Sequence, residues 1–597
     1  MKRIVIAFFV LFIFSYPVFL SAGEGQYGVR LAVSDDGIFL LSIKEISSGI
    51  HVRQKSLKGR DAFSFEVQNS DGELVHSGGF ADPRLVSALF GSSFLTSKEN
   101  RNPHIRLESG IAFVRLPESS LGGELQIFAR GAGQKTAKGR MLASFGIVPD
   151  GQTKAAEFDK ETLEDNGPAE NRLDIVVLGD GYTLEQQDEL TQNAEDFVES
   201  FASQQPWSDY RKFFNFHLVH VVSAESGADH PSQDRYVDTA LDSTFDYMGL
   251  ERLLVSDFEK TIEAADTVDG WDYIFVLVND YTYGGSGTAG YMAVTSLNQY
   301  APEIVVHESG HMVAGLADEY EDPWDGFEPA EDEPNITTDS NPENLKWSVW
   351  VGENIPLPTP EAAKYESAIG MFEGARYQAQ DIYRPKMNCK MRELGQPFCE
   401  VCREALIEAL YENISPCDSV GGDIALYPGD EYILQLDLLE TAADSISVEW
   451  YLDDEILSKR DDKLVVNADE LGMGSYVITA HVQDINPMLK REGALLAAGE
   501  TIVWNVLVQE EGTSDGDETE SDMETDAHED GDLEEIDGDI DSDQAELEAS
   551  DSGSGDGTGD DGCSTISGLS PFAAFCLLIF GLVAILRRIA NCTCKNV

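Results

Sequence analysis

Ile304-Val305-Val306-His307-Glu308-Ser309-Gly310-His311 decides how this chain is read. Three apolar residues lead into two histidines four apart, and at ~100° per residue that interval returns both imidazoles to one helix face, about 6 Å apart along the axis. Two such side chains can grip one zinc ion. Glu308 neighbours that face, placed to hold a metal-activated water and take its proton, the pattern of a metal-assisted hydrolase. The bland alternative is a structural helix with two incidental histidines.

A tetrahedral zinc that keeps one position for water needs a third protein ligand. Asp318 and Glu319 are on offer. In metzincin-type sites a glycine ends the helix and the third ligand follows three residues later. Gly315-Leu316-Ala317-Asp318 has that interval, although Gly315 stands one position further from His311 than usual, and one extra residue turns a helix by about 100°. Asp318 is preferred and Glu319 held in reserve, with a structural salt bridge as the role of whichever is not a ligand.

Around this segment, strand and helix patterns alternate. Leu173–Leu178 is apolar except for Asp174, Gly179-Asp180-Gly181 marks a turn, and Leu184–Phe201 has helical spacing. Further strands are expected at Phe216–Val222 and Tyr273–Val278, with helical segments near Phe245–Ala265 and Glu400–Tyr411. Such alternation indicates an α/β layer. Met391, in Cys389-Lys390-Met391-Arg392, is the better candidate for an apolar floor under a metal, with Met387 as alternative and a core role as the ordinary reading. Tyr383 or Tyr320 are candidate oxyanion donors, though a tyrosine is more often half-buried core.

Several pieces run in order across residues 165–417. They are Leu178-Gly179-Asp180-Gly181-Tyr182-Thr183, Ser226-Gly227, Tyr283-Gly284-Gly285-Ser286-Gly287, the run His307–Tyr320, Phe372-Glu373-Gly374-Ala375, Tyr383-Arg384-Pro385 and Met391-Arg392. Together they resemble metallopeptidase family sixty-four, the IgA-peptidase family. The resemblance implies a zinc endopeptidase with one catalytic ion, a metzincin-like catalytic domain, an N-terminal β-domain and a methionine turn beneath the metal. Carried over, His307, His311 and Asp318 would be ligands and Glu308 the general base and acid of peptide hydrolysis.

The rest of the chain frames that domain. Residues 24–150 show short alternating runs such as Phe63-Ser64-Phe65-Glu66-Val67, broken by Asp-Gly and Gly-Gly turns, the vocabulary of a β-sandwich. Residues 420–508 return to strands, including Val448-Glu449-Trp450-Tyr451-Leu452, and fit an immunoglobulin-like sandwich. The expected architecture is therefore multidomain α/β plus all-β: a zinc peptidase domain over 165–417 between two β-sandwiches.

Of 597 residues, 41 are Lys or Arg and 108 Asp or Glu, a net charge of −67, which argues against nucleic acid as a partner. Hydrophobic content of 42% shows that this acidity sits on real cores. Glu510–Asp561 holds 24 Asp or Glu and no Lys or Arg, so the stretch 510–562 is read as a solvated, disordered spacer. Residues 1–22 have the layout of a signal peptide, and 566–586 form an apolar stretch followed by Arg587 and Arg588, read as a membrane helix with a cytoplasmic tail at 587–597. The chain is then expected to be exported and held at the membrane by its C-terminal helix, acting on protein or peptide outside the cell. Export favours two disulfides among Cys389, Cys399, Cys402 and Cys417, with half of a four-cysteine zinc site as the other reading of Cys399-x-x-Cys402. Calcium is a second candidate ion, for the acidic loop Glu319–Glu333 or the spacer, with simple solvation of those carboxylates as the ordinary reading. A competing function is a non-catalytic surface adhesin whose sandwich modules bind a protein while a zincin-like scaffold displays them.

Overall fold

The computed structural model describes residues 25–48, 63–80, 82–88, 104–106, 109–130, 139–149, 158–288, 291–321, 333–453, 455–459 and 461–510. The signal segment, the acidic spacer beyond residue 510, the apolar stretch 566–586, the tail and most of the acidic loop 319–333 lie outside these. Among the described residues no helix is long and apolar enough to cross a membrane.

Strands Gly25–Ser34, Gly37–Ser48 and Ser109–Pro117 make one antiparallel sheet, and Phe63–Gln68, Leu74–Phe80, Glu124–Ala129 and Met141–Gly146 a second. Alternation does the sorting: Phe63, Phe65 and Val67 point inward while their neighbours are only half-buried. They share one core with Val29, Leu31, Leu125 and Ile127.

The central domain is built on an eight-stranded mixed sheet. Its strands are β1 (Leu85–Ala88), β2 (His104–Arg106), β3 (Asp159–Glu164), β4 (Leu173–Asp180), β5 (Phe214–His220), β6 (Tyr273–Val278), β7 (Gly285–Thr288) and β8 (Met292–Ser296), in the spatial order β3-β5-β4-β6-β8-β7-β1-β2. β5, β4, β6 and β8 run parallel. Parallel strands covered on both faces read as continuous apolar runs, and every residue of β4 and β6 is buried. The two-residue side-chain period then divides β4. Leu173, Ile175 and Val177 face the layer of helices α1 (Gln187–Ala202), α3 (Ala301–Ala314) and α4 (Glu400–Tyr411), whereas Val176 and Leu178 face α2 (Phe258–Ala265). Of the helical spacing expected over 245–265, only this last part is α-helix.

The Gly179-Asp180-Gly181 turn has a structural task. Asp180 is fully buried and accepts from the hydroxyls of Ser223 and Thr239 and the N–H groups of Leu241 and Ser243. Gly181 has φ of +72°, and a Cβ there would meet the Gly227 carbonyl oxygen at 2.0 Å.

Two features cut across the domain boundaries expected from sequence. β1 and β2 fall within the 24–150 segment but extend the central sheet, β1 pairing with β7. In the C-terminal β-domain, Trp450 stacks on Trp504 in a core of its own, yet Leu489, Ala494 and Ala498 from a segment between its strands pack in the central core. Glu404 of α4 is completely buried, which is tolerable only when its oxygens are satisfied. They accept from the N–H groups of Lys490 and Arg491 at 2.6 Å each, from Arg491 Nε at 2.8 Å and from Trp350 Nε1 at 2.6 Å. The two domains thus meet in a packed interface rather than through a linker.

The two expected disulfides are not formed: Cys389, Cys399, Cys402 and Cys417 are all free thiols. Cys417 belongs to the C-terminal β core, so it has no partner in reach among the others, which gather with Glu319. The Sγ atoms of Cys389 and Cys402 stand 3.6 Å apart, far beyond the ~2.05 Å of an S–S bond.

Candidate metal centre

α3 is buried on almost every side, which explains why most of its sequence outside the site residues is apolar, Glu303 in the first turn and Ser309 excepted. Pro302 sits in its first turn, where a missing N–H costs nothing. It ends at Gly315, whose left-handed φ of 62° and ψ of 38° close the helix with N–H bonds to the Gly310 and His311 carbonyls. The chain then reverses so that Asp318 faces the helix it has just left.

His307 and His311 present their Nε2 atoms to one oxygen, Asp318 Oδ1, at 3.1 and 3.2 Å. On the far side of each ring, Nδ1 meets a backbone carbonyl: Lys390 for His307 at 2.9 Å, Leu316 for His311 at 2.6 Å. A carbonyl accepts only, so both Nδ1 atoms carry hydrogen and a neutral ring leaves its Nε2 lone pair free, the arrangement by which outer partners orient metal-ligating imidazoles. Bonds of ~2.0–2.1 Å to zinc place an N and an O of a tetrahedron roughly 3.4 Å apart. The observed spacing is close to that edge, and two nitrogens with one carboxylate oxygen are an ordinary zinc donor set. These residues therefore fit the ion that the sequence pattern implies.

Glu308 is buried beside the trio. Gly287 of β7 lies against it, and a Cβ at that position would come within 2.3 Å of Glu308 Oε2. Burial pushes the Glu308 carboxyl above its usual range, with His311 and His307 opposing and Asp318 adding to the rise. The side chain of His311 is 17% exposed against 3% for His307, so the trio opens to solvent on the His311 side.

Asp318 is held from several directions. Asn335 bonds both backbone groups of Ala317, at 2.7 and 2.9 Å, and the Arg376 N–H donates to the Asp318 carbonyl at 3.0 Å. Tyr377 donates its hydroxyl to Asp318 Oδ2. Burial, followed by the Asp318 charge, pushes the Tyr377 phenol well above its usual range, so it stays a donor. Arg376 and Tyr377 form the two-residue loop between β9 (Phe372–Ala375) and β10 (Gln378–Arg384) and both have left-handed φ, 51° and 64°. Such loops normally take Asn-Gly. Two side chains there cost about 1–2 kcal/mol each, and strain of this kind gathers at functional sites.

Sequence reasoning missed Tyr377 and Asn335, for neither stands in a motif. Glu319, the reserve ligand, turns away from the imidazoles toward Cys402, whose Sγ is 3.6 Å from its Oε1. Met391 is buried against α3, its sulfur 2.8 Å from where a Cβ on Gly310 would be, while Met387 is only half-buried. The Tyr320 ring stacks on His307 at 6.1 Å between centroids. Tyr383 packs in the main core near Glu373 and Asp381.

Replacing Tyr377 by Phe removes one hydroxyl from the Asp318 carboxylate and little else. We expect zinc affinity at this centre to fall by ~10–100-fold, the usual cost of losing an outer partner, with an unchanged circular dichroism spectrum. Competition against a fluorescent zinc chelator measures it, and an unaltered affinity would mean that Tyr377 does not position Asp318.

Comparison with known proteins gives one family. No curated protein matches the chain. Fibronectin(III)-like modules of Clostridium thermocellum CbhA are 14% identical, with 16% of this chain and 98% of theirs covered and a TM-score of 0.12. The β-glucuronidase 3 of Bacteroides uniformis is 10% identical, with 81% and 63% covered and a TM-score of 0.13. The model of the IgA peptidase M64 family matches residues 162–365 and 361–410, the stretch that contains β4 to β8, the histidine helix, Asp318 and Tyr377. That match places residues 162–410, the central domain and not the whole chain, in the IgA peptidase M64 family.

Proposed function

We propose that the chain is an exported zinc-dependent endopeptidase that cleaves protein or peptide substrates outside the cell, tethered by its C-terminal apolar segment. The observation that carries this reading is the meeting of both imidazole Nε2 atoms at Asp318 Oδ1 with a buried glutamate beside them. The domain is metzincin-like in this reading, and the flanking β-domains are sandwiches, the C-terminal one immunoglobulin-like.

His307, His311 and Asp318 would hold the ion. Zinc bound there would lower the pKa of a water toward ~7 and polarise a substrate carbonyl. The Lys390 and Leu316 carbonyls keep both rings turned toward that ion. Glu308 takes the proton of the attacking water and returns it to the leaving amine; its raised affinity for a proton, set by burial, suits a group that must hold one briefly. Gly287 leaves the room that this carboxylate needs.

The test is cleavage of casein by the purified chain before and after dialysis against a zinc chelator. Activity should vanish with the chelator and return with added zinc. Cleavage that survives complete removal of metal rejects the metallopeptidase reading.

A further inference from the structure

We propose that Cys389, Cys399, Cys402 and Glu319 form a second metal site, one that holds a zinc ion for structure and stands apart from the catalytic centre. One ligand atom from each of the four lies within 4.8 Å of all the others. All four residues are buried, Glu319, Cys389 and Cys402 completely.

The distances discriminate between the possible fates of these thiols. Zn–S bonds of ~2.3 Å and Zn–O bonds of ~2.1 Å put the ligand atoms of a tetrahedron roughly 3.6–3.8 Å apart. Cys389 Sγ to Cys402 Sγ is 3.6 Å, and Cys402 Sγ to Glu319 Oε1 is 3.6 Å. A disulfide would need its sulfurs at ~2.05 Å and would leave the third thiol and a buried carboxylate with nothing to do.

Glu319 supplies the independent observation. Its Oε1 accepts from Asn335 Nδ2 at 2.9 Å, but Oε2 is buried with no hydrogen-bond partner. An ionised carboxylate so placed is costly unless a cation answers it. The donor set names the cation. Three sulfurs and one oxygen exclude the oxygen-seeking calcium and magnesium and suit zinc, whose closed four-ligand sites are structural. The Cys399 N–H donates to Cys389 Sγ at 3.2 Å, as it would to a thiolate that has lost its proton to metal binding.

The position gives the ion its task. Glu319 follows Asp318 directly, and Cys389 precedes Lys390, whose carbonyl orients His307. The Glu319 N–H also bonds the Met391 carbonyl at 2.8 Å. One ion joining Glu319, Cys389 and the first turn of α4 would lock together the segments that bring the catalytic ligands to one point.

The full chain carrying His307→Ala and His311→Ala, which removes two ligands of the other centre, should retain one zinc per molecule by plasma mass spectrometry. X-ray absorption at the zinc edge should show sulfur neighbours at ~2.3 Å. Adding Cys399→Ser and Cys402→Ser should abolish that zinc. Should these variants fail to fold, the unmodified chain decides. Cys389, Cys399 and Cys402 should resist alkylation until chelator and denaturant are added, then all three label without reductant. A double-histidine chain that folds without zinc, or a Cys389–Cys402 or Cys399–Cys402 disulfide found by peptide mapping, overturns the proposal.

Discussion

Glu308→Gln should retain its zinc and its melting temperature and lose casein cleavage by about 10³-fold in kcat, the middle of the ~10²–10⁴-fold range that general acid–base catalysis contributes. The substitution is chosen for shape. Gln fills the same volume between α3 and Gly287, where a Cβ would already come within 2.3 Å of the carboxylate, so packing is preserved. Only the ability to accept a proton is lost, because a neutral amide oxygen is a far weaker base than a carboxylate whose proton affinity burial has raised. Stopped assays alongside metal analysis check both halves. A kcat within tenfold of the unmodified chain, with zinc still bound, would remove Glu308 from the mechanism.

Asp318→Ala should cost the chain its catalytic zinc altogether. Both Nε2 atoms approach Asp318 Oδ1, and its Oδ2 takes the Tyr377 hydroxyl. Truncation therefore deletes a ligand and strands a buried donor, so the loss in affinity should exceed the ~10–100-fold expected for Tyr377→Phe. Activity should fall below detection and the zinc content by one ion. The sulfur-bound zinc of the second site should stay, since Glu319 faces the other way. Equilibrium dialysis against zinc gives the affinity. Full zinc content in Asp318→Ala would show that a different residue is the third ligand.

The neighbours Asp318 and Glu319 also show where reading a sequence stops. Two carboxylates in succession cannot be told apart by composition, and a turn one residue out of register moves either by about 100° around the axis. The backbone partners decide: Asn335 on Ala317, Arg376 on Asp318 and Met391 on Glu319 together aim one carboxylate at the imidazoles and the other at three thiols. Tyr377 lies 59 residues from the aspartate it serves, in a loop whose left-handed backbone no local pattern announces. The cysteines were equally opaque. Export favours disulfides among them, and their convergence with Glu319 is what points to a metal site instead.

What lies within one turn of helix or one strand was legible. Helical periodicity put His307 and His311 on one face with Glu308 beside it, and alternation marked the inward faces of the β-domains, because these patterns follow from local geometry that each residue obeys whatever surrounds it. Tertiary structure alone turned Asp318 rather than Glu319 toward the imidazoles, set the Tyr377 hydroxyl against it, pulled β1 and β2 into the central sheet and seated residues 489–498 in the central core. Those outcomes depend on contacts between segments far apart in the chain, where burial and hydrogen-bond satisfaction of the whole molecule outweigh any preference that a short stretch can express.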